Sequence, residues 1–265
     1  MSAQLALTIT GRGPLIINIP HAGTALTAGL AERLSPASRA LPDTDWHLPF
    51  LYHFAAYCGA TLIAATHSRY VVDLNRDREG ASLYDGDPDT HLCPLLRFDG
   101  EPVYQPGCEP NAEEIDTRRA SWWQPYHDEL AKLVADTQAR CGHAVLLDAH
   151  SVRRELPGRF PGRAPDFSLA TRDGAACAPS LQAAVEDVLR ASGASVAVNE
   201  HVTGGYTTGR YGQPERGLHA VQIELAQDCY LDVDDPCSWT PAHPAAQAIR
   251  PTLRTLVDAL VRWTP

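Results

Sequence analysis

The sequence has no surplus of positive charge, no long apolar run, no paired-cysteine motif and no internal repeat, and each absence removes a class of function. Lys and Arg number 22 against 32 Asp and Glu, a net charge of −10, and no long basic cluster offsets that balance locally. Sequence-independent binding to nucleic acid or to an anionic membrane surface needs the opposite balance, so neither partner is expected. A small anionic substrate remains compatible, provided that local arginines receive it. No stretch reaches the roughly 18 apolar residues of a membrane span, and the first residues lack the charged and apolar regions of a signal segment, so neither export nor membrane insertion is expected. The seven cysteines are odd in number, irregularly spaced and without a CxxC pair. They read as reduced thiols of a cytoplasmic protein rather than as a disulfide framework or a zinc knuckle.

Several catalytic signatures are missing too. There is no GxSxG, and no cysteine lies in a strand-to-helix nucleophile turn, which makes nucleophilic catalysis the weaker class. The glycine-rich stretch HVTGGYTTGRYGQP has neither the Lys of a P-loop nor the order GxGxxG, so it gives phosphate binding little support. Its Tyr206 and Arg210 can reach a ligand if the stretch borders a site, and it is otherwise a surface turn.

What is present is the pattern of an α/β protein. A chain of this length buries roughly three quarters of its unfolded surface, and no composition shift marks a boundary, so one domain over residues 1–265 is expected. Apolar runs of strand length cover Leu15 to Ile19, Thr61 to Ala65, Tyr70 to Leu74, Ala144 to Leu147, Ser195 to Val198 and Ala220 to Leu225. Helix-period segments alternate with them: Trp46 to Tyr57, Ile115 to Ala139, Cys177 to Ser192 and a C-terminal series from Ile249 to Leu260. This alternation predicts a layered sheet, mostly parallel or mixed, with helices on its faces. Two Gly-, Pro- and Asp-rich stretches, around 78–110 and 153–174, are too long for ordinary connections and are expected to be loops over a site.

Two of the predicted strands end in a histidine. LIINIPHAGT places His21 beyond a strand's carboxyl end, where open sheets hold their ligands, and HAVLLDAHS does the same with His150. Asp148 lies two residues before His150, on the same strand face. A lone turn histidine is ordinarily bonded to its neighbours, but two strand-end imidazoles with a carboxylate behind one of them point towards a shared metal. The segment LPDTDWHLPF offers Asp43, Asp45 and His47 as further donors, although an Asp ahead of an amphipathic run is also the usual helix cap. In HAVQIELAQ the alternation leaves Glu224 either solvated or, if both sheet faces are covered, a buried carboxylate suited to proton transfer. SRYVVDLNR carries Arg69, Asn75 and Arg76, which serve either as edge protection or as a bidentate clamp for a carboxylate or an oxyanion.

Taken in order, IPHAGT, DTDW, SRYVVDLNR, CPLLRFDGEPVY, PYHDEL, DAHS, FPGRAPDF, GGYTTGRYG and GLHAVQIELAQ resemble the N-formylglutamate amidohydrolase family of histidine catabolism, over nearly the whole chain. That family is similar in turn to zinc carboxypeptidases and aspartoacylase. The resemblance implies a three-layer phosphorylase/hydrolase-like α/β fold with a central mixed sheet, and hydrolysis of N-formyl-L-glutamate to L-glutamate and formate. It implies one zinc per chain, or another divalent metal, on His21 and His150, with Glu224 as general base. The HxxE of zinc carboxypeptidases is absent, since Ala22, Gly23 and Thr24 follow His21, so the remaining ligand comes from DTDW, Asp45 ahead of Asp43. The arginine segment is similar to that of aspartoacylase, which implies Arg69 near the scissile carbonyl and Asn75 with Arg76 on a substrate carboxylate. Arg210 with Tyr206 is the candidate for a second carboxylate. The rival readings are another zinc-dependent N-acyl amino acid deacylase or carboxypeptidase-like hydrolase, and a metal-free amino-acid-binding protein. The oligomeric state leaves no trace in the sequence.

Overall fold

The strands Leu15–Ile19, Thr61–Ala65 and Ala144–Val152, the last extending the expected run Ala144 to Leu147, are buried on both faces in the computed structural model, which describes residues 5–80, 91–156, 162–200 and 202–265. Strands covered on both sides read as unbroken hydrophobic runs, and these form the middle of a seven-stranded sheet. Its strands are β1 (Ala6–Ile9), β2 (Leu15–Ile19), β3 (Thr61–Ala65), β4 (Ala144–Val152), β5 (Phe167–Ala170), β6 (Val196–Val198) and β7 (Leu218–Ala226), in the spatial order β1-β3-β2-β4-β7-β5-β6. β3, β2, β4 and β7 run parallel, β1 and β5 run antiparallel to their inner neighbours, and β6 is parallel to β5. The sheet is mixed, as expected.

Among the described residues seven α-helices accompany it: α1 (Leu30–Arg33), α2 (Leu48–Leu51), α3 (Ala112–Arg118), α4 (Gln124–Cys141), α5 (Pro179–Ala191), α6 (Tyr206–Tyr211) and α7 (Pro244–Arg262). Leu15, Ile17 and Ile19 of β2 join one core with Leu181, Val185 and Leu189 of α5 and with Leu253, Leu256, Val257 and Leu260 of α7. Ile16 faces the other side, into a core with Trp123 and with Tyr126, Leu130 and Val134 of α4. Helices therefore cover both faces, and the fold is a three-layer α/β arrangement. The spacing of the α7 residues puts them on one stripe, and burying each side chain contributes about 1.5–3 kcal/mol.

Five local expectations are corrected. Tyr70 to Leu74 is buried but is not a strand. The Arg118 guanidinium takes the carbonyls of Tyr70 and Val71, the Leu92 carbonyl takes the Asp73 N–H, and the Asp73 carboxylate caps the Asn75 N–H, so the segment satisfies its polar groups without a ladder. The segment 46–57 divides into α2 and a 3₁₀ turn, His53–Cys58, and the long helix predicted from Ile115 is divided by a π turn over Arg119–Trp123. The stretch 153–174 contains β5, and part of GGYTTGR is the short helix α6. Residues 81–90 and 157–161, which belong to the two expected loops, lie outside the described residues. Within those residues, no helix is long and apolar enough to cross a membrane.

Candidate active site

Chain order changes direction at the pair β2–β4, since β3 lies on one side of β2 and β4 on the other. Such a switch point leaves a crevice beyond the carboxyl ends of the strands. His21 follows β2 there, and His150 lies near the end of β4. The turn after His21 fits against residue 67 because Gly23 has no side chain: a Cβ at that position would lie 2.2 Å from the His67 carbonyl oxygen.

The period of two along each strand places a row of polar side chains on the sheet face that α4 covers. Asn18 of β2 is paired in register with Asp148 of β4, Asp148 with Gln222 of β7, and one step further His150 with Glu224. Asn18, Asp148, His150 and Gln222 are all buried, so each needs a partner. Asn18 Nδ2 donates to Asp148 Oδ1 at 2.7 Å, and the Tyr126 hydroxyl donates to Asn18 Oδ1 at 2.7 Å. Asn75 Nδ2 lies 3.2 Å from Asp148 Oδ2 and 3.0 Å from His150 Nε2, while Asn75 Oδ1 accepts the Thr207 N–H at 2.8 Å.

His21, Asp45 and His150 come together as a buried trio whose candidate ligand atoms lie within 4.8 Å of one another. Both imidazoles turn Nδ1 towards Asp45 Oδ2, His150 at 3.1 Å and His21 at 3.9 Å. Their Nε2 atoms face away from it, His21 to Asp73 Oδ1 at 2.7 Å and His150 to Asp148 Oδ2 at 3.2 Å. Asp45 is itself fixed, with its backbone N–H on the His21 carbonyl and its Oδ1 accepting from the Ser151 hydroxyl. Two ring nitrogens and a carboxylate oxygen, each ring steadied from behind by a carboxylate, suit a small divalent cation, so the trio could bind a metal.

The surrounding charges act on the two rings differently. Burial lowers the pKa of His21, and Arg69 lowers it further, against the opposing pull of Asp73. Burial also acts to lower His150, but Asp148, Asp45 and Glu224 outweigh it and hold that ring well above the ordinary histidine range. At Asp73 burial would raise the carboxyl, yet Arg69, His21 and Arg76 bring it well below the carboxylate range.

The other expected site residues are distributed unevenly. Asp43 stands apart from the trio: it accepts from the Tyr70 hydroxyl at 2.8 Å and from the Phe98 N–H at 3.1 Å. Burial raises its pKa. His47 is also engaged elsewhere, stacked on Trp239 and bonded to the Pro236 carbonyl. Arg69 is buried, paired with Asp73 and set over the Phe98 ring at 4.3 Å. Arg76 is 8% exposed and, among the described residues, makes no side-chain hydrogen bond or ion pair, although it lies close enough to Asp73 to attract its charge. Tyr206 is half-buried against Trp123 and His127, and Arg210 is exposed, over the Tyr211 ring. His127 belongs to the packing: burial brings it down to about 4, and its ring bonds to the Leu74 carbonyl and the Tyr211 hydroxyl. Asp73, Asn18 and Gln222 escaped the sequence reading. The i, i+4 spacing from Arg69 was a signal for Asp73, and strand-face parity with Asp148 and Glu224 was one for the other two.

The fold and this donor set define an α/β protein with a cation-competent trio at its switch point. Residues 13–231 match the family described as N-formylglutamate amidohydrolase. The chain is 46% identical over 254 residues to N-formylglutamate deformylase of Pseudomonas aeruginosa and 41% identical to that of Pseudomonas putida, in both cases over 96% of this chain and 94% of the relative. A crystal structure of N-formylglutamate amidohydrolase from Ralstonia eutropha JMP134 superposes with a TM-score of 0.82 at 25% identity, covering 97% of this chain and 98% of that one. A gene product of Agrobacterium tumefaciens shares the fold, with a TM-score of 0.73 at 20% identity over 98% of this chain and 96% of its own. The chain belongs to the N-formylglutamate amidohydrolase family.

Proposed function

We propose that this chain hydrolyses N-formyl-L-glutamate to formate and L-glutamate, as a step of histidine degradation. The observation that carries the proposal is the buried His21–Asp45–His150 trio with Glu224 in register beside His150 and two buried guanidiniums, Arg69 and Arg76, on the segment that follows β3. Zinc is the cation assigned to the trio, where it would supply a Lewis acid and a lowered pKa for water. Glu224 takes the proton of the water whose oxygen attacks the formyl carbon, and it returns that proton to the nitrogen as the C–N bond breaks. Arg69, already oriented by Asp73, faces the charge that grows on the carbonyl oxygen.

Arg76 receives a substrate carboxylate, because its buried guanidinium has no side-chain hydrogen bond or ion pair among the described residues and a planar fork matches that group. Asn75 is better suited to orienting the site, since its oxygen is engaged by Thr207 and its amine by Asp148. Arg210 with Tyr206 is assigned the second carboxylate. The deciding experiment is formate release from N-formyl-L-glutamate with and without chelator, in wild type and in Glu224→Gln. The expected result is chelator-sensitive release that falls at least about 100-fold in the variant. Faster turnover of another N-acyl amino acid would move the chain to a different deacylase specificity, and tight binding of the amino acid without turnover would make it a binding protein. N-formyl-L-glutamine, which lacks one carboxylate, then separates the arginines: Arg76→Ala should erase the discrimination between the two substrates if Arg76 holds the side-chain carboxylate. Unchanged discrimination would assign Arg76 to the α-carboxylate.

A further inference from the structure

Gln222 connects α6 to the proposed base. It lies two residues before Glu224, on the same face of β7, and is 3% exposed. Its Oε1 accepts the Gly205 backbone N–H at 2.7 Å and the Thr208 hydroxyl at 3.3 Å, and its Nε2 donates to Glu224 Oε1 at 2.9 Å. A backbone N–H can only donate, so the atom facing Gly205 must be the amide oxygen, and the amine must face the carboxylate. Gly205 has little room to move. A Cβ there would lie 2.4 Å from Asn75 Nδ2, and the Thr207 N–H two residues on is held by Asn75 Oδ1. The first turn of α6 thus sits flush against the polar row and fixes the rotation of the Gln222 amide.

Resting on the reading of Glu224 as the base, we infer that Gln222 is a positioning residue: its amine holds the Glu224 carboxylate in one orientation, and the Gly205 N–H holds Gln222. A hydrogen bond to a carboxylate is about twice as strong as one between neutral groups, so the contact can select a single rotamer of a glutamate side chain. With its oxygen taken by Gly205 and Thr208 and its amine by Glu224, Gln222 acts through the base, so its loss should appear in kcat and leave KM nearly unchanged.

Two variants separate the two ends of the amide. Gln222→Met keeps the length and removes both hydrogen bonds, whereas Gln222→Glu keeps an acceptor for Gly205 but presents an oxygen to Glu224 in place of the amine. If Gln222 positions the base, both variants lose about 10- to 100-fold in kcat at pH 8, with KM changed less than about threefold and melting temperatures showing folded protein. If Gln222 only docks α6, Gln222→Glu retains wild-type kcat and Gln222→Met alone is impaired, which overturns the inference. Wild-type kcat in Gln222→Met overturns it as well. Glu224→Gln, assayed alongside, tells the two readings apart: wild-type turnover there removes the base itself, while a large loss there beside an active Gln222→Glu removes only the positioning role. Side-chain amide NMR of the wild-type and Glu224→Gln proteins supplies a check that leaves position 222 intact. One Gln222 amide proton should be displaced in wild type and should shift when the carboxylate is removed, and an unmoved pair counts against the contact.

Discussion

His21 and His150 stand at neighbouring strand ends, each with Nδ1 towards Asp45 and Nε2 on a buried carboxylate, yet their surroundings push them in opposite directions. The difference lies one shell further out. Asp73, behind His21, is shared with Arg69, so its negative charge is already answered and burial decides in favour of a neutral ring. Asp148, behind His150, is held by the neutral amides of Asn18 and Asn75, and together with Asp45 and Glu224 it raises the ring's pKa despite burial. A carboxylate behind a histidine therefore does not by itself set the ring's charge; what neutralises the carboxylate does. For a cation bound at the trio, the raised pKa of His150 sets a proton in competition with the metal, and the lowered pKa of His21 eases binding.

The largest effect should come from removing the carboxylate that is shared. Asp73→Asn leaves the Arg69 guanidinium buried without its charge partner, and breaking a buried pair on one side costs about 3–5 kcal/mol. Urea unfolding should show that loss, and removing both members in Arg69→Met/Asp73→Asn should return much of it. A double variant as unstable as the single one would mean that the pair is not the reason for the loss.

Asp148→Asn should do less to stability and more to the metal. A carboxylate behind a ligating histidine typically contributes 10- to 100-fold in metal affinity, so competition with a chromophoric chelator should show a drop of that order. In metal-free wild type at neutral pH, ¹⁵N spectra of the histidine rings should show both nitrogens of His150 protonated and only one of His21, and in Asp148→Asn the second proton of His150 should be lost. Because binding releases that proton, zinc affinity should weaken as pH falls, by up to about tenfold per unit over the range in which His150 is charged. A neutral His150 in the metal-free wild type would dissolve the contrast between the two histidines.

Much of this arrangement was legible in the sequence, and the rest was hidden for physical reasons. Short, mostly apolar runs announced β2, β3 and the first half of β4, because strands covered on both faces carry few polar residues. The strand-end positions of His21 and His150, with Asp148 on the same face, followed from the same reading. Tyr70 to Leu74 misled it, since buried valines look the same in a strand and in a turn whose carbonyls are taken by Arg118. β1 and β5 are only four residues long, and α6 begins within a glycine-rich stretch, so period gave little to count. Asp43 and Asp45 were separable only by their partners: Ser151 and the two rings for Asp45, Tyr70 and Phe98 for Asp43. Those contacts join residues 24 to 106 positions apart, and no local pattern records them.

The smallest effect belongs to a carboxylate that serves no histidine, which makes it the control for the comparison. Asp166, just ahead of β5, accepts from the Ser195 N–H at 2.8 Å and hydroxyl at 2.7 Å, and it pairs with Arg154 at 2.7 Å, tying β5 to the start of β6 and to the chain beyond β4. Burial would raise its pKa, but these donors outweigh it and bring the group down to about 2 from an ordinary 3.8. A depressed carboxyl contributes stability that is complete above its unfolded pKa and is lost as pH falls through the folded value, here between about 4 and 2. The side chain is 30% exposed, so solvent screening reduces the contribution to about 1 kcal/mol. Asp166→Asn should therefore lower the urea midpoint modestly at pH 7, and the gap from wild type should close near pH 2. Zinc affinity should be unchanged, because Asp166 touches neither ring. If Asp166→Asn weakened zinc as much as Asp148→Asn, the carboxylates would be acting through general stability, and the distinction between His21 and His150 would lose its cause.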